Sequence, residues 1–158
     1  MTDAAAPFRI EGTDHTGITV SSLDEALSFW SGVMGFEHLY TWDFEQSSFL
    51  EELVGVQRAA ARIAMVRAPG HLVELLEYRS PGDRKTMKPR SCDVGSVHLA
   101  FRVENIDALL VRIAEAGWKA LSRVQRVEAG ERTGLRLVYV RAPDGMTLEL
   151  LEQPKAPR

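Results

Sequence analysis

The chain has 158 residues, 45% of them hydrophobic and 26% charged, which suits one folded unit or two small modules and excludes a disordered segment. Nineteen Lys and Arg against 22 Asp and Glu give a net charge of -3, without the basic surplus that phosphate-backbone binding uses, so nucleic acid is not an expected partner. A single cysteine, Cys92, leaves no intramolecular disulfide to form, and neither a leader pattern nor an apolar run of membrane-spanning length stands out; a cytoplasmic protein with no membrane partner is expected.

In chain order, residues 1–7 are small and polar and are expected to fray. A β-rich run over residues 15–20 precedes an amphipathic helix in which Ser21 or Ser22 caps, Leu23, Ala26, Leu27 and Trp30 form the apolar stripe, and Gly35 is the stop. Strand-like runs follow at about 36–42, 60–67 and 71–78, with an insert at 43–57 that holds a short helix. Residues 80–93 are polar and broken by Pro and Gly, the composition of an exposed connector. The second half begins with a β run at 97–103 and a helix capped by Asn105, with Ile106, Leu109, Leu110 and Ile113 as its stripe and Gly117 as its end. Strands at about 118–123, 134–141 and 146–152 follow, and the tail from Pro154 is expected to fray.

This order of parts occurs twice. VRAPGHLVELLEY at residues 66–78 returns as VRAPDGMTLELLEQ at 140–153, and DHTGITV at 14–20 is matched by VHLAFRV at 97–103. The expected architecture is therefore α+β: two βαβββ modules, residues 8–79 and 95–153, joined by a linker at 80–94, whose mixed sheets form one cup. The matched polar residues become informative. His15 corresponds to His98, and Glu74 to Glu149. Alternation along the strands leaves His15, Gly17 and Thr19 on the face opposite Ile18 and Val20, and His98, Ala100 and Arg102 on the face opposite Leu99, Phe101 and Val103.

With these motifs in order, the sequence resembles the vicinal oxygen chelate superfamily of glyoxalase I, methylmalonyl-CoA epimerase and the extradiol dioxygenases. The resemblance covers roughly residues 13–153. It implies a cup of paired βαβββ modules and a divalent metal (Zn, Ni, Co, Mn or Fe(II)) held by His15, Glu74, His98 and Glu149. Two imidazoles and two carboxylates suit such an ion and leave coordination sites open. The implied function is a lyase or isomerase of the glyoxalase or epimerase type, working by proton transfer next to a carbonyl on a small substrate with vicinal oxygens. Glu149, with Glu74, is the implied catalytic base.

Two alternatives remain open on the residues: an Fe(II) extradiol-type dioxygenase using His15, His98 and Glu149, and a non-catalytic protein that sequesters an antibiotic. A carboxylate at Glu74 favours proton transfer. A homodimer is expected, because two small modules leave apolar edges to cover.

Other candidates read as structural. His38, His71, Glu77 and Glu152 are expected to face solvent, Cys92 to be unreactive, and Phe29, Trp30, Trp42 and Trp118 to pack the cores. Arg62, Arg102 and Arg136 are either anion-binding or solvated at the rim. Glu45, Glu51 and Glu52 lie in the unmatched insert.

Overall fold

The computed structural model describes residues 8–154, so the expectation of fraying over residues 1–7 and at the end of the tail falls outside the described residues. Two compact units divide the chain. One closes at Ser80 and the other opens at Pro81, with Gly32–Met34 grouped with the second. No helix among the described residues is long and apolar enough to cross a membrane.

The first unit is a four-stranded mixed sheet in the order β1-β4-β3-β2, comprising β1 (His15–Thr19), β2 (Glu37–Phe44), β3 (Ala60–Ala68) and β4 (His71–Ser80). Strand β1 runs parallel to β4, and the other pairs are antiparallel. The helix α1 (Leu23–Leu27) starts where Ser22 accepts a hydrogen bond from the Glu25 N–H. It continues as a π-helical turn, Ser28–Val33, before Gly35 stops it at positive φ. From its first residue to its terminating glycine this helix is one residue longer than its counterpart in the second half, and the wider π turn absorbs the extra residue. Leu23, Phe29 and Trp30 are buried, α1 contacts β3 and β4, and Ala64, Val66, Val73 and Leu75 are buried on the helix side of those strands. The insert holds α2 (Ser48–Val54), capped by Ser47 and closed by Gly55 in the left-handed region.

The second unit repeats the plan with β5 (Leu99–Arg102), α3 (Ile106–Glu115), β8 (Arg136–Arg141) and β9 (Thr147–Glu152), β5 again parallel to its partner β9. The expected continuous strand at 118–123 is instead two short pieces, β6 (Lys119–Ala120) and β7 (Gln125–Arg126), which pair with opposite ends of β8. Between them the Ser122 hydroxyl and the Gln125 amide both donate to the Arg123 carbonyl, bonds that hold the chain off the ladder. The core comprises Ile106, Ile113 and Trp118 against Val138, Val140, Leu148 and Leu150. Each such side chain contributes about 1.5–3 kcal/mol when fully buried.

One device recurs in both units and was not expected. Glu77 accepts a hydrogen bond from the Leu23 N–H at 2.9 Å, and Glu152 from the Ile106 N–H at 3.1 Å. Each carboxylate satisfies an orphan donor at a helix start and sits at the positive end of the helix dipole. Beside it, Arg62 binds Asp24 and Arg136 binds Asp107, so each helix's first turn is fastened to its sheet. Glu77 and Glu152 are thus helix anchors, not solvated charges. Arg62 and Arg136 are likewise structural, on the helix side of their sheets.

Candidate functional site

On the sheet face away from α1, the register fixes three rows across β4, β3 and β2: Glu74, Met65 and Tyr40; Leu76, Ile63 and Trp42; Tyr78, Ala61 and Phe44. Strand β1 adds His15, Gly17 and Thr19, the more exposed positions of its alternation. His15 Nε2 lies 3.3 Å from Glu74 Oε2, and Glu74 is only 24% exposed. Gly17 stands directly opposite Glu74, where even a Cβ would come within 3.6 Å of its Oε2. A small residue there leaves the carboxylate room.

The second unit builds the same pair. His98, just before β5, places Nε2 3.3 Å from Glu149 Oε2, with Glu149 16% exposed. Ala100 stands opposite Glu149 as Gly17 stands opposite Glu74. Tyr139 is its antiparallel neighbour on β8, and the Tyr139 ring packs 4.9 Å from the His98 ring. The structure therefore brings together His15 with Glu74 and His98 with Glu149. Among the described residues no group of three or more His, Cys, Asp or Glu side chains is gathered closely enough to hold a metal.

Each pair fits the geometry of two neighbouring ligands. Donors each about 2.1 Å from a divalent ion and at right angles to one another are about 3.0 Å apart, close to the separations found here. His15 also has an orienting partner, since its Nδ1 bonds Asp14 at 2.7 Å and Nε2 is thereby turned toward Glu74. That bond raises the His15 pKa above its ordinary value, and the negative charge of Glu74 adds to the effect against partial burial. Burial pushes up the phenols of Tyr78 and Tyr139, with Glu74 and Glu149 respectively contributing. Both hydroxyls stay protonated near neutral pH and are available as hydrogen-bond donors.

Asp14, Tyr78 and Tyr139 were not singled out from sequence. Parity could have found the two tyrosines: Tyr78 follows Glu74 by four residues, two β repeats, and Tyr139 precedes the final hairpin on the Glu149 face. Of the three arginines, Arg102 alone shares the face of its unit's His and Glu, opposite Leu151, and is exposed.

The remaining expectations divide. His38 is exposed and bonds Thr41, whereas His71 is half-buried and bonds the Thr16 hydroxyl at 2.8 Å, so it does not simply face solvent. Cys92 is exposed. Phe29, Trp30 and Trp118 are buried, but Trp42 is 55% exposed and stacks on Tyr40, because its parity on β2 points it away from the helix. In the insert, Glu51 accepts from the Arg58 N–H and so closes the turn after α2.

Residues 12–150 match the model of the Glyoxalase/Bleomycin resistance protein/Dioxygenase superfamily. The chain belongs to that superfamily. Its relatives include a 2-epi-5-epi-valiolone epimerase from Actinomyces sp, 37% identical over 98% of this chain and 85% of the relative. Among solved structures, a glyoxalase family protein from Bacillus cereus superposes with a TM-score of 0.81 at 24% identity, covering 96% of this chain and all of its own. The fosfomycin resistance protein FosX from Mesorhizobium loti aligns at TM-score 0.58 and 19% identity, covering 90% and 91%. These two likenesses show the fold, an α+β glyoxalase-like one. The epimerase likeness makes this superfamily member an enzyme of the glyoxalase and epimerase type. Members of the superfamily are generally dependent on divalent metals, bind small-molecule substrates and often form dimers.

Proposed function

We propose that this enzyme is a divalent-metal-dependent epimerase that inverts a carbon next to the carbonyl of a small ketone with vicinal oxygens. The observation that carries this reading is the twin His–Glu pairs, each at 3.3 Å and on matched positions of two repeated modules. The relative whose name denotes epimerisation of a ketone supplies the reaction class.

His15, Glu74, His98 and Glu149 are the proposed ligands, and the bound ion, whether Zn, Ni, Co, Mn or Fe(II), would supply Lewis-acid stabilisation of charge developing on the substrate oxygens. Glu149, with Glu74, is the proposed proton carrier: one carboxylate takes the proton from the acidified C–H, and the other, protonated, delivers a proton to the opposite face of the same carbon, which inverts it. Tyr78 and Tyr139, both protonated near neutral pH, are placed to donate to substrate oxygens. Arg102 lies on the same face for any anionic substituent. The modules are proposed as residues 8–79 and 95–153 with a linker at 80–94, the protein as a cytoplasmic homodimer.

Two measurements test this together. Protein purified without a histidine tag is analysed for bound metal, and 2-epi-5-epi-valiolone is incubated with it in D2O. Stoichiometric divalent metal and deuterium incorporation beside the carbonyl are expected. Oxygen consumption with catechols and no exchange would replace the epimerase reading with the extradiol dioxygenase.

A further inference from the structure

The row geometry of the first unit places an aromatic stripe on the same sheet face as His15 and Glu74. Tyr40 and Trp42 stack with centroids 4.4 Å apart and planes 24° from parallel, and Phe44 meets Trp42 edge-on at 6.2 Å. Trp42 remains 55% exposed and Tyr40 37%, although their cross-strand neighbours Met65 and Ile63 are buried. Tyr40 is two strands from Glu74, about 10 Å between backbones, a gap that one substituted ring spans once the side chains at both ends are counted. From this juxtaposition we infer that Tyr40 and Trp42 form a stacking platform that selects a polyhydroxylated six-membered ring ketone as substrate. The inference rests on the epimerase reading and names its substrate class.

The chemistry of the lining carries the choice. The side chains paired with the platform on its own face are Met65, Ile63 and Ala61, all apolar, and the next row beyond Tyr40 carries Arg67 in its ion pair with Glu37, whereas Asp43 and Thr41 alternate onto the other face with Arg62 and Ala64. A cyclic polyol presents its hydroxyls at the rim and its C–H bonds on a flat face. Those C–H bonds, polarised by the oxygens, meet the negative face of an aromatic ring, while an open-chain polyol has no fixed face to offer. A second copy of the chain is a poorer occupant. On the same sheet face the exposed Glu37–Arg67 ion pair interrupts the aromatic stripe at its Tyr40 end.

The test uses the metal-loaded full chain. Trp30 and Trp118 are 1% and 7% exposed, so acrylamide quenching reports mainly on Trp42. Saturable protection of this fluorescence by 2-epi-5-epi-valiolone is expected, with little protection by dihydroxyacetone at equal concentration. Trp42→Ala is expected to raise KM for the ring ketone by about tenfold or more while changing kcat much less, and Trp42→Phe to recover most of the loss. Deuterium exchange into the ring that persists with unchanged KM in both Trp42→Ala and Tyr40→Ala overturns the platform and leaves the epimerase reading in place. Protection without any exchange keeps the platform and removes the epimerase reading. Absence of protection in wild-type protein, or conversion of a sedimenting dimer to monomer by Trp42→Ala, also overturns the platform.

Discussion

Asp14 gives His15 a partner that the sequence does not repeat, because Val97 stands before His98. The protonated imidazole is held first by the Asp14 hydrogen bond and then by the Glu74 charge, so the folded pKa is raised. In metal-free protein this contribution to stability is complete below the ordinary histidine value of about 6.5 and is lost as pH rises through the raised one. An NMR titration should show the His15 midpoint falling in Asp14→Asn; an unmoved midpoint would mean the bond does not form. Glu149→Gln keeps an oxygen donor but removes the proton acceptor. It is expected to lose about a hundredfold to ten-thousandfold in rate with a much smaller loss of bound metal, whereas His98→Ala should lose both together. Parallel kinetics and metal analysis separate the two. The four candidate ligands were legible in sequence because a repeat marked them and β alternation gave their face. Asp14, Tyr78 and Tyr139 carried no repeat signal, since Val97, Gln153 and Met65 occupy the matched positions.

At the scale of elements, the helix anchors make the first turn of each helix depend on a carboxylate at the far end of a distant strand. Glu152 is 12% exposed and serves both the Ile106 N–H and the Arg136 guanidinium, at 2.6 Å to the latter. Glu152→Ala should therefore destabilise the fold by about 1–3 kcal/mol, read as a lower urea midpoint with little change in slope. A cost within a few tenths of a kcal/mol would show that water replaces the carboxylate. Alternation puts Glu77 and Glu152 on the parity opposite to Glu74 and Glu149, but the expectation that they face solvent failed because their partners are backbone N–H groups that no residue type advertises. The split of the edge strand into β6 and β7 was hidden similarly, because the Arg123 carbonyl gathers side chains whose identity does not announce a bend. The two hairpin turns offer a matched comparison. Gly70 and Gly145 both have positive φ, but a Cβ at Gly70 meets open space while one at Gly145 strikes the Met87 carbonyl of the linker. Gly70→Ala should cost about 1–2 kcal/mol for backbone conformation alone. Gly145→Ala should cost clearly more, measured by thermal denaturation of the two variants side by side. Equal losses would show that the linker yields.

For the whole molecule, the duplicated plan was readable because each half repeats its strand, helix and hairpin signals in the same order. The exposed aromatic face was not, since tryptophan on a strand is ordinarily a core residue and only the register of β2 against β3 turns Trp42 outward. The parallel pairings of β1 with β4 and β5 with β9 have a consequence for how the enzyme comes into being. Each joins the first strand of a unit to its last, so the closing contacts have the largest sequence separation in that unit and the greatest loop-closure entropy. The local hairpins β3–β4 and β8–β9 can zip beforehand. Because β1 and β5 are also edge strands, they are the natural places for a unit to open. His15 meets Glu74, and His98 meets Glu149, only across these seams. The proposed site is then the last feature assembled in folding and the first lost in partial opening. Native-state hydrogen exchange should find the amides that join β1 to β4 opening at lower free energy than those joining β3 to β4, and added metal should slow the former preferentially.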